Sequence, residues 1–247
     1  MTPFAQEPRN QLDGQGRGIG ELVSVNVGRP RQIGVSRHGE PVVSAIGKSP
    51  VIGRVVVRGV NLEGDDQADR SVHGGADKAV YAYAGEDTAW WAGILELKLG
   101  PGAFGENLTT AGVDVSAAVI GERWRVGSTE LEVCQPRQPC FKLGVAFDDP
   151  TMVRRFAQAG RPGAYLRIAH EGDLAAGDTV EILSRPDHGI TIAMVAQAIL
   201  GDATLFNSVA ATPELPVELA GWMRERAAAA ASRKSSLRPS TDGHRAT

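Results

Sequence analysis

From Glu21 onward, apolar and polar residues alternate over short runs, and turn-forming residues separate these runs. A period of two places successive side chains on opposite faces of a strand, so the pattern predicts a mainly β fold, either a barrel or a sandwich. Residues 126–129, with the sequence Val-Gly-Ser-Thr, predict a hairpin turn between two strands. The predicted strands span residues 22–27, 42–46, 53–60, 80–83, 121–126, 129–134, 164–169 and 179–184.

Helical signals are confined to two segments within the β region and to the chain after Pro186. The run Asp148-Asp149-Pro150-Thr151 is a typical start of a helix, and Asp187 or Thr191 could cap the first helix of the later group. The predicted helices span residues 86–99 and 151–159, followed by 190–200, 203–211 and 216–231.

These patterns divide the chain into four parts. The first 20 residues and the last 16 are polar and rich in residues that favour disorder, so we expect neither end to bury enough apolar surface to order itself. The parts are a disordered leader (1–20), a β-barrel domain (21–186), a three-helix extension (187–231) and a disordered tail (232–247).

Composition removes several classes of protein. The net charge is −3, which gives no support for a dedicated duplex nucleic-acid binder. No apolar run reaches the roughly 20 residues of a membrane span, and the amino terminus lacks the apolar core of a signal peptide, so we predict a cytoplasmic protein without a membrane partner. Two cysteines cannot form a disulfide framework, and the histidines show no spacing with them that predicts a structural zinc site.

The strongest chemical signal is Cys140, which lies between Arg137 and Lys142 on a loop that two prolines stiffen. Nearby positive charge favours the thiolate, which is the form of cysteine that binds metals and attacks electrophiles. Free cysteine is also among the most buried residue types, so a small buried hydrophobe remains the alternative at this point.

Two further clusters of polar residues accompany the cysteine loop. Residues 61–78 contain His73 beside Gly74-Gly75, where backbone amides could form an anion-binding nest. An acidic calcium-like loop or a solvated turn is the alternative, although the spacing of the acids does not fit an EF-hand. Residues 101–108 form a glycine-rich loop with Asn107, which can both donate and accept hydrogen bonds. We expect the three clusters to form one site.

Several ordered blocks of this sequence resemble the bacterial stand-alone MOSC proteins, whose domain is shared with the carboxyl end of molybdenum-cofactor sulfurase. The resemblance runs from about residue 21 to 185, and residues 187–231 resemble the three-helix extension of the hydroxylaminopurine-resistance subfamily. Cys134 and Arg70 depart from the family pattern outside the core motifs. The blocks are Val25-Asn26-Val27-Gly28, Ala45-Ile46-Gly47-Lys48, Gly53-Arg54-Val55, residues 72–81, Phe104-Gly105-Glu106-Asn107-Leu108 and residues 135–140.

The resemblance implies a twisted β-barrel that binds the molybdenum cofactor (molybdopterin), with Cys140 as the molybdenum ligand and as a catalytic residue. It also implies reduction of N-hydroxylated compounds such as hydroxylaminopurine, a detoxification. Arg137 and Lys78 would hold the anionic cofactor, and His73 and Asn107 would shape the pocket and relay protons. The full set of cofactor-binding candidates is Lys48, Arg54, Lys78 and Arg137.

Two other functions remain open at this level. Cys140 could carry a persulfide from a separate desulfurase, or the barrel could bind and ferry the cofactor without turnover, with the helical extension as a docking face. Pyridoxal phosphate, which multidomain relatives are associated with, is not expected, because no Schiff-base lysine motif stands out. A reductase would need a separate electron-donor protein, because the chain has no flavin or iron–sulfur motif of its own. The choice between monomer and homodimer stays open.

Overall fold

The computed structural model describes residues 11–12, 18–36, 38–67 and 74–236. The strands in these residues are β1 (Gln11–Leu12), β2 (Gly18–Val27), β3 (Arg31–Val35), β4 (Pro41–Ser44), β5 (Ser49–Pro50), β6 (Val55–Arg58), β7 (Asn61–Leu62), β8 (Val80–Ala84), β9 (Leu108–Ala111), β10 (Arg123–Val126), β11 (Thr129–Pro136), β12 (Ala164–His170), β13 (Gly172–Leu174) and β14 (Thr179–Ser184). The helices are α1 (Gly85–Leu95), α2 (Phe141–Ala146), α3 (Met152–Gln158), α4 (Ile192–Leu200), α5 (Phe206–Ala210) and α6 (Val217–Ser236), with a 3-10 helix at Ala76–Lys78.

Seven of these strands close into a barrel in the order β2, β14, β10, β11, β12, β8 and β9, and β9 then pairs with β2. The pairing of β8 with β9 is parallel, and the other neighbours in this ring are antiparallel. The period-two pattern explains the interior: along β10, Trp124 and Val126 are buried and Arg123 and Arg125 point outward. The predicted mainly β barrel is confirmed.

The predicted strands correspond to observed ones, and the hairpin at residues 126–129 is confirmed by the pairing of Val126 with Thr129. The prediction missed β9, the strand that closes the barrel. Its sequence is Leu-Thr-Thr-Ala, and Thr109 and Thr110 are both buried. It therefore lacks the alternation of apolar and polar residues that marks a strand with one solvent-exposed face.

Two predicted helix ends are corrected, and one helix was not predicted. Helix α1 ends at Leu95 rather than at residue 99, because Glu96 takes a left-handed conformation with φ of 55°. Helix α2, which begins directly after Cys140, was not predicted. Helix α6 continues past the predicted end at residue 231 to Ser236.

Strand β1 and the first residues of β2 lie within residues 1–20, so strand pairing begins before the predicted domain boundary at residue 21. Gly20 shows why the chain can pair there. A Cβ at this position would lie 2.4 Å from the Val113 side chain and 2.5 Å from the carbonyl oxygen of Ala111, so only glycine allows this close approach.

The three carboxyl-terminal helices pack directly on the barrel. Ile192, Phe206 and Met223 belong to the same buried cluster as Trp124 and Leu131 of the barrel interior. Thr191 caps α4, since its hydroxyl accepts a hydrogen bond from the Met194 amide at 3.2 Å. Within the described ranges, no helix combines the length and the apolar character that a membrane span requires.

A second, aromatic cluster lies on the other side of the barrel wall. Strand β8 faces the barrel interior with Val80, Ala82 and Ala84, and it faces this second cluster with Tyr81 and Tyr83. Both faces of β8 are therefore buried. The cluster ties β8 to helices α1, α2 and α3 and to the loop of residues 101–107; its buried members are Tyr81, Tyr83, Trp91, Phe104, Leu143, Met152 and Phe156.

Candidate functional site

A cavity of about 100 Å³ opens beside the aromatic cluster, and we call it the cysteine cavity. It brings together the 44–48 segment, the 65–67 segment, the loop of residues 101–107 and the cysteine loop. The predicted site residues that line it are Lys48, Lys78, Asn107, Arg137 and Cys140. The polar clusters that the sequence analysis singled out therefore contribute described residues to one cavity.

Two predicted site residues are not in this group. His73 lies in residues 68–73, outside the described residues. Arg54 is not among the described residues that line the cavity, and two carboxylates hold its guanidinium: Nε donates to Asp173 at 2.6 Å and Nη2 donates to Asp178 at 3.2 Å. We therefore remove Arg54 from the candidate site.

Cys140 lies at the cavity wall. It is partly exposed and adopts an extended backbone (φ −117°, ψ 172°) immediately before α2, where its carbonyl accepts from the Leu143 amide at 2.9 Å. Cys134 is the opposite case, because it is fully buried and its Sγ donates to the Asp77 carbonyl at 3.0 Å. Burial raises the pKa of the Cys134 thiol. Of the two cysteines, Cys140 is the one that a ligand in the cavity can reach.

Arg137 is a buried cation at the base of the cysteine loop. Its guanidinium lies 5.2 Å from the ring centroid of Tyr81 and 5.4 Å from that of Phe156, and its Nη1 donates to the Phe104 carbonyl. Burial works to lower the pKa of Arg137, but Tyr81, Tyr165 and Cys140 raise it overall. Arg137 therefore supplies a fixed positive charge at the cavity wall.

A buried ion pair lines another part of the cavity. Asp65 pairs with the Lys48 ammonium, and their side chains are only 2% and 8% exposed. Asp65 also accepts from the Gly28 amide at 2.7 Å and from Asn107 Nδ2 at 2.9 Å. Burial lowers the pKa of Lys48, although the charge of Asp65 works in the opposite direction.

Asn107 is the residue that fixes this wall to the barrel. Besides donating to Asp65, its side-chain oxygen accepts from the Tyr81 amide at 3.1 Å, and Nδ2 also donates to the Asn26 carbonyl at 3.3 Å. Both ends of the carboxamide are thus engaged. The sequence analysis missed Asp65, because no local signal separates it from the other acids of its loop.

Glu106 holds the loop of residues 101–107 in shape. Its carboxylate accepts from the Gly102 amide at 2.7 Å, the Phe104 amide at 3.0 Å and the Thr109 hydroxyl at 2.9 Å. Gly102 has a φ of 82°, and a Cβ there would lie 2.7 Å from the Lys48 carbonyl oxygen. The loop therefore packs against the backbone of Lys48 and keeps that residue at the cavity.

The Glu106 carboxyl predicts a pH dependence of stability. Burial raises the pKa of Glu106 above its ordinary 4.5, and its hydrogen bonds only partly offset this effect. The folded state therefore binds a proton at Glu106 more tightly than the unfolded state does. The resulting contribution to the free energy of unfolding is complete below pH 4.5 and is lost as the pH rises through the folded-state pKa. We expect Glu106→Gln, which cannot ionise, to remove that loss.

Chemical denaturation at a series of pH values above 4.5 measures this effect. Glu63→Gln is the matched control, because Glu63 is exposed and its substitution leaves the buried carboxyl in place. If Glu106→Gln and wild type lose the same stability over this range, the interpretation of Glu106 is wrong.

Comparison with known proteins identifies the fold and the family. Residues 69–181 match the MOSC domain family. Protein YflK of Bacillus subtilis (strain 168), described as uncharacterized, is 37% identical over 188 residues, which are 76% of this chain and 84% of YflK. The chain belongs to the MOSC family. Cys140, Arg137 and the loop of residues 101–107 all lie inside the matched range.

Two further similarities extend beyond the matched domain. The crystal structure of YiiM from Geobacillus stearothermophilus superposes on this MOSC protein with a TM-score of 0.69 at 27% identity, covering 84% of this chain and 99% of YiiM. A protein named "Reductase" from Gibberella moniliformis (strain M3125 / FGSC 7600) is 32% identical over 204 residues, covering 80% of this chain and 35% of that protein. The superposition with YiiM covers more of this chain than the matched domain does.

Proposed function

We propose that this protein binds the molybdenum cofactor through Cys140 and reduces N-hydroxylated compounds such as hydroxylaminopurine. One observation carries the proposal: a partly exposed cysteine and four cations line the same cavity, namely Lys48, Lys78, Arg137 and Lys142. The MOSC family and the relative named reductase support the general class, an oxidoreductase.

The donor set at the cavity fits this cofactor. Among the described residues, no group of three or more His, Cys, Asp or Glu side chains is placed to hold a metal ion, so the chain offers a single sulfur rather than a complete protein cage. A metal that brings its other ligands with it needs only one protein thiolate. Thiolate is a soft ligand suited to a redox metal, and the surrounding cations match the phosphate of the pterin.

The residues that line the cavity would have separate roles in binding the cofactor and in the reaction. Cys140 binds the metal, and Arg137 and Lys78 hold the anionic part of the cofactor. Asn107 keeps Asp65, and through it Lys48, at the cavity wall. When bound, the cofactor would supply the two electrons needed to cleave the N–O bond of the substrate.

Cleavage of that bond also consumes two protons, and the products are an amine and water. Lys48 is the described group best suited to deliver one proton, because its ammonium lines the cavity and burial lowers its pKa. Of the two residues predicted to relay protons, His73 lies outside the described residues, and the Asn107 carboxamide is engaged at both ends. We further propose a separate electron-donor protein and a cytoplasmic reaction.

Purification from a host that makes the cofactor tests this function. We expect about one molybdenum and one oxidisable pterin per chain, together with reduction of hydroxylaminopurine by an artificial low-potential donor. Metal-free protein that carries a cyanide-labile sulfur would instead identify a persulfide carrier. Bound cofactor without reduction by any donor would identify a carrier of the cofactor.

A further inference from the structure

A second cavity, which we call the helix cavity, lies between the barrel and the carboxyl-terminal helices. Its volume is about 580 Å³, within the range of about 300–1,000 Å³ that small-molecule pockets occupy. The cysteine cavity, at about 100 Å³, is far smaller. Lys78 and Gln138 line both cavities, so the two are neighbours.

The two walls of the helix cavity differ in chemistry. The barrel side is polar and includes Gly75, at which an added Cβ would meet no heavy atom within 4 Å, so a ligand can approach the backbone there. The helix side carries Glu218 and Trp222 from α6. Trp222 is 36% exposed and lines the cavity, so a ligand there can contact part of its indole.

The indole of Trp222 is held in place. The Arg226 guanidinium lies 4.7 Å from the Trp222 ring centroid and 5.4 Å from the ring of buried Phe206. These contacts link the exposed indole to the core and keep it at the cavity edge. A rigid aromatic side chain loses little conformational entropy when a planar ring stacks against it.

We propose that the helix cavity is a substrate subsite that holds the ring of a planar nitrogen heterocycle while its N-hydroxyl group enters the cysteine cavity. Trp222 stacks on the ring, and Glu218 accepts hydrogen bonds from ring N–H or amino groups. The Gln138 amide, exposed and shared by both cavities, can donate and accept at the junction. This inference rests on the proposed function for the reacting group, but the binding of the ring does not depend on it.

Binding of adenine, the ring system left after reduction of hydroxylaminopurine, tests the subsite without any cofactor. By calorimetry on cofactor-free protein, we expect Trp222→Ala to weaken adenine binding about tenfold, Trp222→Phe to retain most of the affinity and Glu218→Gln to weaken it several-fold. Val217→Ala is the matched control, because Val217 is 82% exposed on the same helix and does not line the cavity among the described residues.

Kinetics of the loaded enzyme give a second readout. Trp222→Ala should raise KM for hydroxylaminopurine about tenfold with kcat and molybdenum content unchanged, and it should leave the reduction of hydroxylamine, which has no ring, unaffected. Equal adenine affinity in wild type and Trp222→Ala would overturn the subsite. So would a loss of molybdenum in Trp222→Ala, because the cavity would then belong to the cofactor.

The two proposals fail separately. Adenine binding that depends on Trp222 in a protein that never acquires molybdenum would support the subsite and reject the reductase. Reduction of hydroxylaminopurine with the same KM in wild type and Trp222→Ala would support the reductase and reject the subsite. Circular dichroism and thermal unfolding of each variant establish that it is folded.

Discussion

Replacing Cys140 by alanine is expected to lower molybdenum retention and turnover by more than about 100-fold, because even residues that only orient metal ligands cost about 10–100-fold when lost. Cys140 supplies the only thiol in the described lining of the cysteine cavity. The side chain is partly exposed, so the loss of packing is small and the variant should fold. Metal analysis and a pterin fluorescence assay on purified protein measure the effect.

Cys134→Ala is the matched control for this substitution. Cys134 is buried, and its single S–H lies between the Asp77 and Tyr165 carbonyl oxygens, at 3.0 Å and 3.3 Å from Sγ. Its removal should lower the free energy of unfolding by about 1–2 kcal/mol and leave molybdenum content near that of wild type. If Cys140→Ala retains wild-type molybdenum, or if both variants lose it equally, then Cys140 is not the ligand.

Asp65→Ala is expected to lower the free energy of unfolding by about 3–5 kcal/mol, since it leaves a buried ammonium without its partner. The side chains of Asp65 and Lys48 are 2% and 8% exposed, so water cannot replace the carboxylate easily. The same substitution removes the acceptor of the Gly28 amide and of Asn107 Nδ2. Urea denaturation of cofactor-free protein measures the loss.

Two variants separate the causes of this loss. Asp66→Ala should cost only about 1 kcal/mol, because Asp66 lines the same cavity but its carboxylate accepts from the amide of its chain neighbour Gln67 at 2.7 Å, whereas Asp65 holds a buried ammonium. Adding Lys48→Met to Asp65→Ala should recover about 1–3 kcal/mol, because it removes the unpaired charge while the two other donors stay without their acceptor. A loss in Asp65→Ala no larger than that in Asp66→Ala would contradict the assigned ion pair.

The local pattern of apolar and polar residues predicts some elements of this fold and misses others. The alternation along β10, β11 and β14 depends only on which face of each strand meets the barrel interior, so the sequence predicts these strands well. It fails for β9, whose threonines are buried on both faces, and for α2, whose six residues are too few to show helical periodicity. Elements that depend on their neighbours rather than on their own pattern were missed.

The residues of the candidate site likewise differ in whether the local sequence marks them. Cys140 and Arg137 stand out locally, because charge and proline surround a single cysteine. Asp65 does not stand out, since its partners Lys48 and Asn107 are 17 and 42 residues away along the chain. Arg54 carries the right charge for a phosphate ligand, but Asp173 and Asp178, more than 100 residues away along the chain, engage it outside the cavity.

The sequence by itself determined the mainly β character, the resemblance to MOSC proteins and the choice of Cys140 as the candidate metal ligand, because side-chain period, turn residues and local charge act over a few neighbouring positions. Tertiary structure alone decided which charged groups share the cavity and that a second, larger cavity adjoins it on the helical side. The reason is physical: barrel closure through β9 and the packing of α6 bring together residues far apart in the chain, and burial then strengthens their pairing.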